Sequence, residues 1–227
     1  MSDKESNRIT LNGKQIIRTR GLLFDMDGVL LSSIASVQRC WAAWAEMYGV
    51  PPEKALRVTH GRRAIDTVIT LRPDIDPVAG MKAIEDLEVA DTQDTKALPG
   101  AVELLQSLPT DRWTIVTSAS ARLTKVRLAA AGIPMPDKLV TADNVTVGKP
   151  DPEPYRKGAE LLGLSAADCI VVEDAPAGVG AGVAAGSRVL GITGHYSAED
   201  LKATEWVVGS LADVKASVVG EWIELRV

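Results

Sequence analysis

From Pro99 to Val208 the chain repeats one pattern, a short apolar run of strand length followed by a stretch with helical spacing. The runs lie at 113–117, 138–141, 169–172, 189–192 and 206–208. Between them, Pro99 opens a helix through Val102, Leu105 and Leu108, and helices follow at 122–131, 154–162 and 177–185, stopped by Gly132, Gly163 and Gly186. A strand that is apolar throughout, as at 169–172, has no side to give to water, and these runs alternate with helices. That alternation therefore predicts an α/β fold, a Rossmann-like parallel sheet with helices on both faces. In such sheets ligands bind beyond the carboxyl ends of the strands.

One more apolar run, 21–24, precedes this region and is separated from it by a long helical stretch. Residues 33–48 place Val37, Trp41, Trp44 and Tyr48 on one stripe, and Gly49 and Pro51 end the helix. Helical spacing recurs at 64–71 and 77–91, and no strand is expected between Ser32 and Leu98. The reading is an inserted all-helical domain at 34–96 within a core made of 21–33 and 97–227. Hinges are expected at 32–35 and 95–98. Residues 1–20 form a tail in which Asn12-Gly13, between apolar alternating runs, signals a hairpin. The C-terminal run 222–227 also alternates, so the two ends are expected to pair in a small accessory sheet.

Bulk properties narrow the partners. With 227 residues, 46% of them hydrophobic, the chain can bury a core and a smaller second one. A net charge of −5 with no basic stripe argues against nucleic acid or an anionic membrane as partner. No apolar run reaches bilayer length, and the polar start, 1–8, lacks a signal core. Cys40 and Cys169, far apart, read as reduced, buried thiols of a cytoplasmic protein.

Four strand ends carry polar groups. Asp25-Met26-Asp27-Gly28 follows the first run, and two carboxylates there can divide labour, one attacking and one handling a proton. Alone, the same four residues make an ordinary acidic turn. Thr117-Ser118-Ala119-Ser120 offers hydroxyls and free N–H groups at a helix start, which serve either as a helix cap or as an anion site. Lys149 stands in a loop stiffened by Pro150 and Pro152, where a fixed ammonium suits a phosphate or carboxylate. Glu173-Asp174 ends the run 169–172, and adjacent buried acids call for a cation, for which Mg²⁺ fits best.

In order and spacing these four motifs resemble those of the haloacid dehalogenase (HAD) superfamily. The segments 59–63, 98–101 and 141–145 are similar to its bacterial sugar phosphatases and to the glycerol-phosphate and deoxyglucose-phosphate phosphatases. The resemblance spans roughly 21–210 and makes the helical insert the family's small cap. It implies Mg²⁺-dependent hydrolysis of a small phosphate monoester, a sugar or polyol phosphate, in two steps. Asp25 becomes phosphorylated, and Asp27 protonates the leaving alkoxide and then activates water. Ser118, or Thr117 if the alignment slips by one, would hold the phosphoryl oxygens with the Ala119 N–H and Lys149. The metal would take Asp25, the Asp27 backbone carbonyl and Asp174, with Glu173 in support. His60, Arg62 and Arg63 are the cap candidates for substrate contact. A phosphomutase shares all four motifs, but where the sugar mutases generally carry a histidine this chain has Val37. A non-catalytic binder of phosphorylated ligands is the reading from outside enzymology. Ser32 departs from the family, which often has an acid there. A monomer is expected, with a dimer as the alternative.

Overall fold

The computed structural model describes residues 8–11, 14–59 and 61–227. In chain order the elements are β1 (Arg8–Leu11), β2 (Lys14–Thr19), β3 (Gly21–Phe24), β4 (Leu31–Ser32), α1 (Ile34–Met47), α2 (Pro52–Leu56), α3 (Ala64–Leu71), α4 (Pro77–Ala90), β5 (Lys96–Ala97), α5 (Ala101–Gln106), β6 (Trp113–Ile115), α6 (Ala121–Ala131), α7 (Glu153–Leu161), β7 (Cys169–Glu173), α8 (Pro176–Ala185), β8 (Arg188–Ile192), β9 (Trp206–Val208), β10 (Lys215–Val219) and β11 (Trp222–Arg226).

A five-stranded sheet in the order β6-β3-β7-β8-β9 forms the centre, and every pairing in it is parallel. Side chains leave a strand on alternate faces, and both faces here are apolar. Leu22, Phe24, Ile170, Val172, Leu190 and Ile192 enter one buried cluster, whereas Leu23, Cys169, Val171 and Val189 enter another. That double burial is why these runs carry no polar alternation. β3 lies between β6 and β7, so the chain ends that follow these three strands converge on one crevice.

Helices α1 to α4 have a hydrophobic cluster of their own, built on Trp41, Trp44, Val68, Leu71 and Ile84. Trp44 is fully buried and donates from Nε1 to the Gly80 carbonyl at 2.9 Å, which ties α1 to α4. The stripe expected on α1 is therefore a packing face at Trp44. The two chain crossings into and out of this layer run side by side, with Leu31 opposite Ala97 and Ser32 opposite Lys96. The strand β5 in that pair corrects the expectation of no strand between Ser32 and Leu98.

The chain ends do pair. β1-β2-β11-β10 is an antiparallel sheet in which β11 joins β2 and sends Ile223 and Leu225 into the main core beside Ile17. The Asn12-Gly13 turn itself lies outside the described residues. Two further differences concern the strands. The run at 138–141 is reduced to a single bridge between Val140 and Val116. Its continuation is stopped at Thr141, whose N–H and hydroxyl both donate to the Asn144 side chain. β10 was not expected, because its residues are mostly exposed and show no buried face.

Candidate active site

The sheet brings the four motifs to one cavity of about 260 Å³ between the strand ends and the helical layer, with residues of three of them on its wall. Asp25, Asp27, Thr117, Ser118, Ala119 and Asp174 line it from the sheet side. Val37, Trp41, Arg62, Arg63, Met81, Glu85 and Glu88 line it from the helical side, and His195 from the loop after β8.

Asp25 continues β3 by one residue, its N–H donating to the Val172 carbonyl at 3.0 Å. The chain then turns back, since the Leu30 and Leu31 N–H groups donate to Met26 and Gly28 donates to Leu31. Gly28 is required twice over. It has φ +83°, and a Cβ there would lie 2.0 Å from Asp174 Oδ2.

Lys149 and Glu173 lie behind the cavity. Lys149 Nζ donates to Asp25 Oδ1 at 2.8 Å, to Glu173 Oε1 at 2.8 Å and to the Val116 carbonyl at 3.0 Å, so all three of its hydrogens are engaged. Glu173 is fully buried. Its Oε1 also accepts from the Tyr155 hydroxyl, and its Oε2 accepts from the Asp174 and Ala175 N–H groups. This makes Glu173 the anchor that fixes Lys149 against Asp25.

Space around that anchor is closed. A Cβ on Gly178 would fall 1.6 Å from Glu173 Oε1. Gly178→Ala must therefore displace a carboxylate with four hydrogen bonds. It is expected to cost about 1–3 kcal/mol by overpacking and to lower turnover as Lys149 shifts. Denaturant midpoints and phosphate release check both.

Asp25, Glu173 and Asp174 bring carboxylate oxygens within 4.8 Å of one another, all three residues buried. Burial, with Lys149 opposing and Glu173 adding repulsion, pushes Asp25 up to about 7. Burial, then repulsion from Glu173 and Asp25, holds Asp174 well above the usual carboxylate range. Burial pulls the Lys149 ammonium down, but its two carboxylate partners outweigh that and leave it raised. One ammonium thus faces three acids. An all-oxygen donor set with excess negative charge fits a hard divalent cation.

A testable linkage follows. Because the folded pKa of Asp25 is raised from 3.8 to about 7, the stability it contributes is complete below the lower value and is lost as pH rises through the upper one. With chelator, melting is expected to fall by several degrees between about pH 5 and about pH 8. Magnesium should raise the alkaline value more than the acid one. A chelated protein that melts higher at the alkaline pH would contradict this charge balance.

Asp27 points elsewhere. Its Oδ1 accepts from Ser33 Oγ at 2.5 Å and its Oδ2 from Arg127 Nη1 at 3.0 Å, so its carboxylate is outside the acid trio. Ser118 Oγ donates to the Gly61 carbonyl at 3.2 Å, and Thr117 Oγ1 accepts from the Ala119 N–H at 3.1 Å. Among the cap candidates, Arg62 is exposed at the cavity rim. Arg63 is engaged by Asp66 at 2.7 Å and by the carbonyls of Val145 and Thr146 at 3.2 and 2.9 Å. It therefore ties the helical layer to the core. His60 lies outside the described residues.

Sequence reasoning passed over Ser33, Arg127, Glu88 and Tyr155. A signal for two of them was present. Arg127 shares the buried face of α6 with Leu123, Thr124 and Leu128, and Glu88 follows Gly80 and Ile84 at four-residue steps on α4. A charge on an apolar stripe is a candidate for a buried pair.

The haloacid dehalogenase-like hydrolase family model matches residues 19–186, and the chain belongs to that family. Hexitol phosphatase A of Escherichia coli (strain K12) is 39% identical over 203 residues, covering 87% of this chain and 94% of that protein. Glycerol-1-phosphate phosphohydrolase 2 of Saccharomyces cerevisiae is 31% identical over 198 residues, covering 82% and 79%. A solved beta-phosphoglucomutase from Clostridium difficile has the same fold, with a TM-score of 0.73 at 23% identity over 87% of this chain and 93% of that one. Among the described residues no helix is long and apolar enough to cross a membrane.

Proposed function

We propose that the chain is a Mg²⁺-dependent phosphatase of sugar or polyol phosphates that works through a phosphorylated Asp25. The observation that carries this is Asp25 itself, a carboxylate on the cavity wall with Lys149 2.8 Å from Oδ1 and the Asp174 carboxylate beside it. An oxygen of Asp25 attacks phosphorus, forming the Asp25–phosphorus bond as the bond to the ester oxygen breaks. Asp27 gives that oxygen its proton. In the second step Asp27 takes a proton from water, water oxygen bonds to phosphorus, and the Asp25–phosphorus bond breaks to release phosphate and restore both carboxyls.

Thr117, Ser118 and the Ala119 N–H receive the phosphoryl oxygens, and Lys149 offsets charge behind Asp25. Asp25, Asp174 and the Asp27 carbonyl would hold Mg²⁺, with Glu173 acting through Lys149. When bound, the ion would supply charge stabilisation for the transferring phosphoryl group. Residues 34–96 act as the cap, the pair β4 and β5 as its hinge, and the enzyme works in the cytoplasm as a monomer.

The hexitol and glycerol phosphate relatives support a small polyol ester as leaving group. Val37 on the cavity wall supports hydrolysis over mutation, since an apolar side chain relays no proton. Phosphate release from a panel of hexitol, glycerol and hexose phosphates, with Mg²⁺ and with chelator, tests the reading. Magnesium-dependent release is expected, highest for the polyol esters. Isomerisation of a hexose phosphate without release would replace hydrolysis by mutation, and binding without turnover would leave a sensor.

A further inference from the structure

Arg127 is 4% exposed on the core helix α6, yet its guanidinium reaches beyond the core. Nη1 donates to Asp27 Oδ2 at 3.0 Å, and Nη2 donates to Glu88 Oε1 at 3.1 Å. Asp27 belongs to the loop after β3, whereas Glu88 belongs to α4 of the helical layer and is itself buried. One buried cation is therefore shared between a carboxylate at the reacting centre and a carboxylate on the element that covers it.

The other oxygen of Asp27 is held by Ser33, which directly follows the crossing strand β4 and precedes α1. Both oxygens of Asp27 thus depend on how the helical layer sits. Nearer the rim, α4 meets α6 again through Ser120 with Glu85 and through Arg122 with Glu85 and Asp86. Those contacts also join the layer to the core, but none of them touches Asp27. The contrast separates joining the layers from orienting the acid.

We propose that Arg127 is a positioning residue that couples seating of the helical layer to the orientation of Asp27. With Glu88 docked, the guanidinium is divided, and Asp27 receives a single N–H on one oxygen. With Glu88 withdrawn, a buried cation that has lost one partner turns wholly to the other. The planar fork of a guanidinium then clamps both oxygens of a carboxylate at once. Asp27 clamped in this way gives up the orientation in which Ser33 and a single N–H hold it, so proton transfer is confined to the docked arrangement. This inference rests on the reading of Asp27 as the acid.

Leaving-group dependence tests it. An alkoxide needs a proton to depart, whereas nitrophenolate does not. The rate of alcohol or nitrophenolate release is measured in a single turnover, at saturation, with glycerol 1-phosphate and with p-nitrophenyl phosphate. The proteins are the full natural chain, Asp27→Asn, Arg127→Lys, Glu88→Gln and Arg122→Ala. Arg127→Lys keeps the charge but cannot span both acids, and Glu88→Gln keeps the shape if Arg127→Lys fails to fold.

Asp27→Asn, Arg127→Lys and Glu88→Gln are expected to slow the alkyl ester roughly tenfold or more beyond any loss on the aryl ester, within the usual range for acid catalysis. Arg122→Ala should slow the two alike. If Asp27→Asn discriminates between the esters while Arg127→Lys and Glu88→Gln lose both in proportion, Arg127 is a structural tie and the proposal fails. If Asp27→Asn itself does not discriminate, the acid reading fails and takes the proposal with it.

Discussion

Asp25→Asn is expected to lower phosphate release by at least about ten-thousandfold, the scale seen when a covalent nucleophile is removed. The substitution keeps shape and volume in a residue that is 6% exposed and tied at its backbone to Val172. What disappears is the nucleophilic oxygen and one negative charge of a crowded trio. The second loss relieves a cost, because burial and Glu173 already push Asp25 up to about 7. In chelator near neutral pH the variant should therefore melt no lower than the natural chain. Inactivity with retained or raised stability is the signature of chemistry lost from an intact fold. A steep drop in melting temperature would instead mark Asp25 as a structural acid.

Lys149→Met gives the second large effect, and there stability and activity should fall together. Its ammonium is the only cation hydrogen-bonded to Asp25 and Glu173 among the described residues. Its removal strands two buried carboxylates and the Val116 carbonyl. Breaking a buried pair in this way costs about 3–5 kcal/mol, and losing the charge that offsets Asp25 as it meets the phosphoryl group is expected to cost about a hundred- to thousandfold in rate. Tyr155 and the N–H groups of Asp174 and Ala175 still hold Glu173 in place. Mild acid should therefore restore much of the stability by protonating Asp25, but not the turnover. Melting curves and rates taken over the same pH series separate the two losses.

The central sheet was legible because burial on both faces writes itself into sequence as continuous apolar runs. Leu22, Phe24, Ile170 and Val172 could serve one face, and Leu23 and Val171 the other, only in a covered parallel sheet. β4 and β5 were not legible, since two residues each carry no period. β10 was hidden for the opposite reason, being too exposed to alternate.

The residues that gather at the cavity were legible for a topological reason. Asp25, Thr117 and Glu173-Asp174 each stand where an apolar run stops, and β6, β3 and β7 are neighbours. Arg127 and Glu88 were legible only as charges on apolar stripes, because they stand 39 positions apart on different helices. Their pairing depends on how α4 lies across α6, which no local pattern records. Arg63, a cap candidate for substrate contact with a solvated face as the alternative, lines the cavity, and its guanidinium is engaged by Asp66 and two core carbonyls, which no local pattern signals.

The most direct measurement is the mass of the peptide containing Asp25 after rapid acid quench of the enzyme turning over a hexitol phosphate with Mg²⁺. A phosphoryl group on Asp25, absent with chelator and absent in Asp25→Asn, is the expected result. Phosphate released at full rate with Asp25 never modified, or with Asp25→Asn as active as the natural chain, would contradict a covalent role for Asp25.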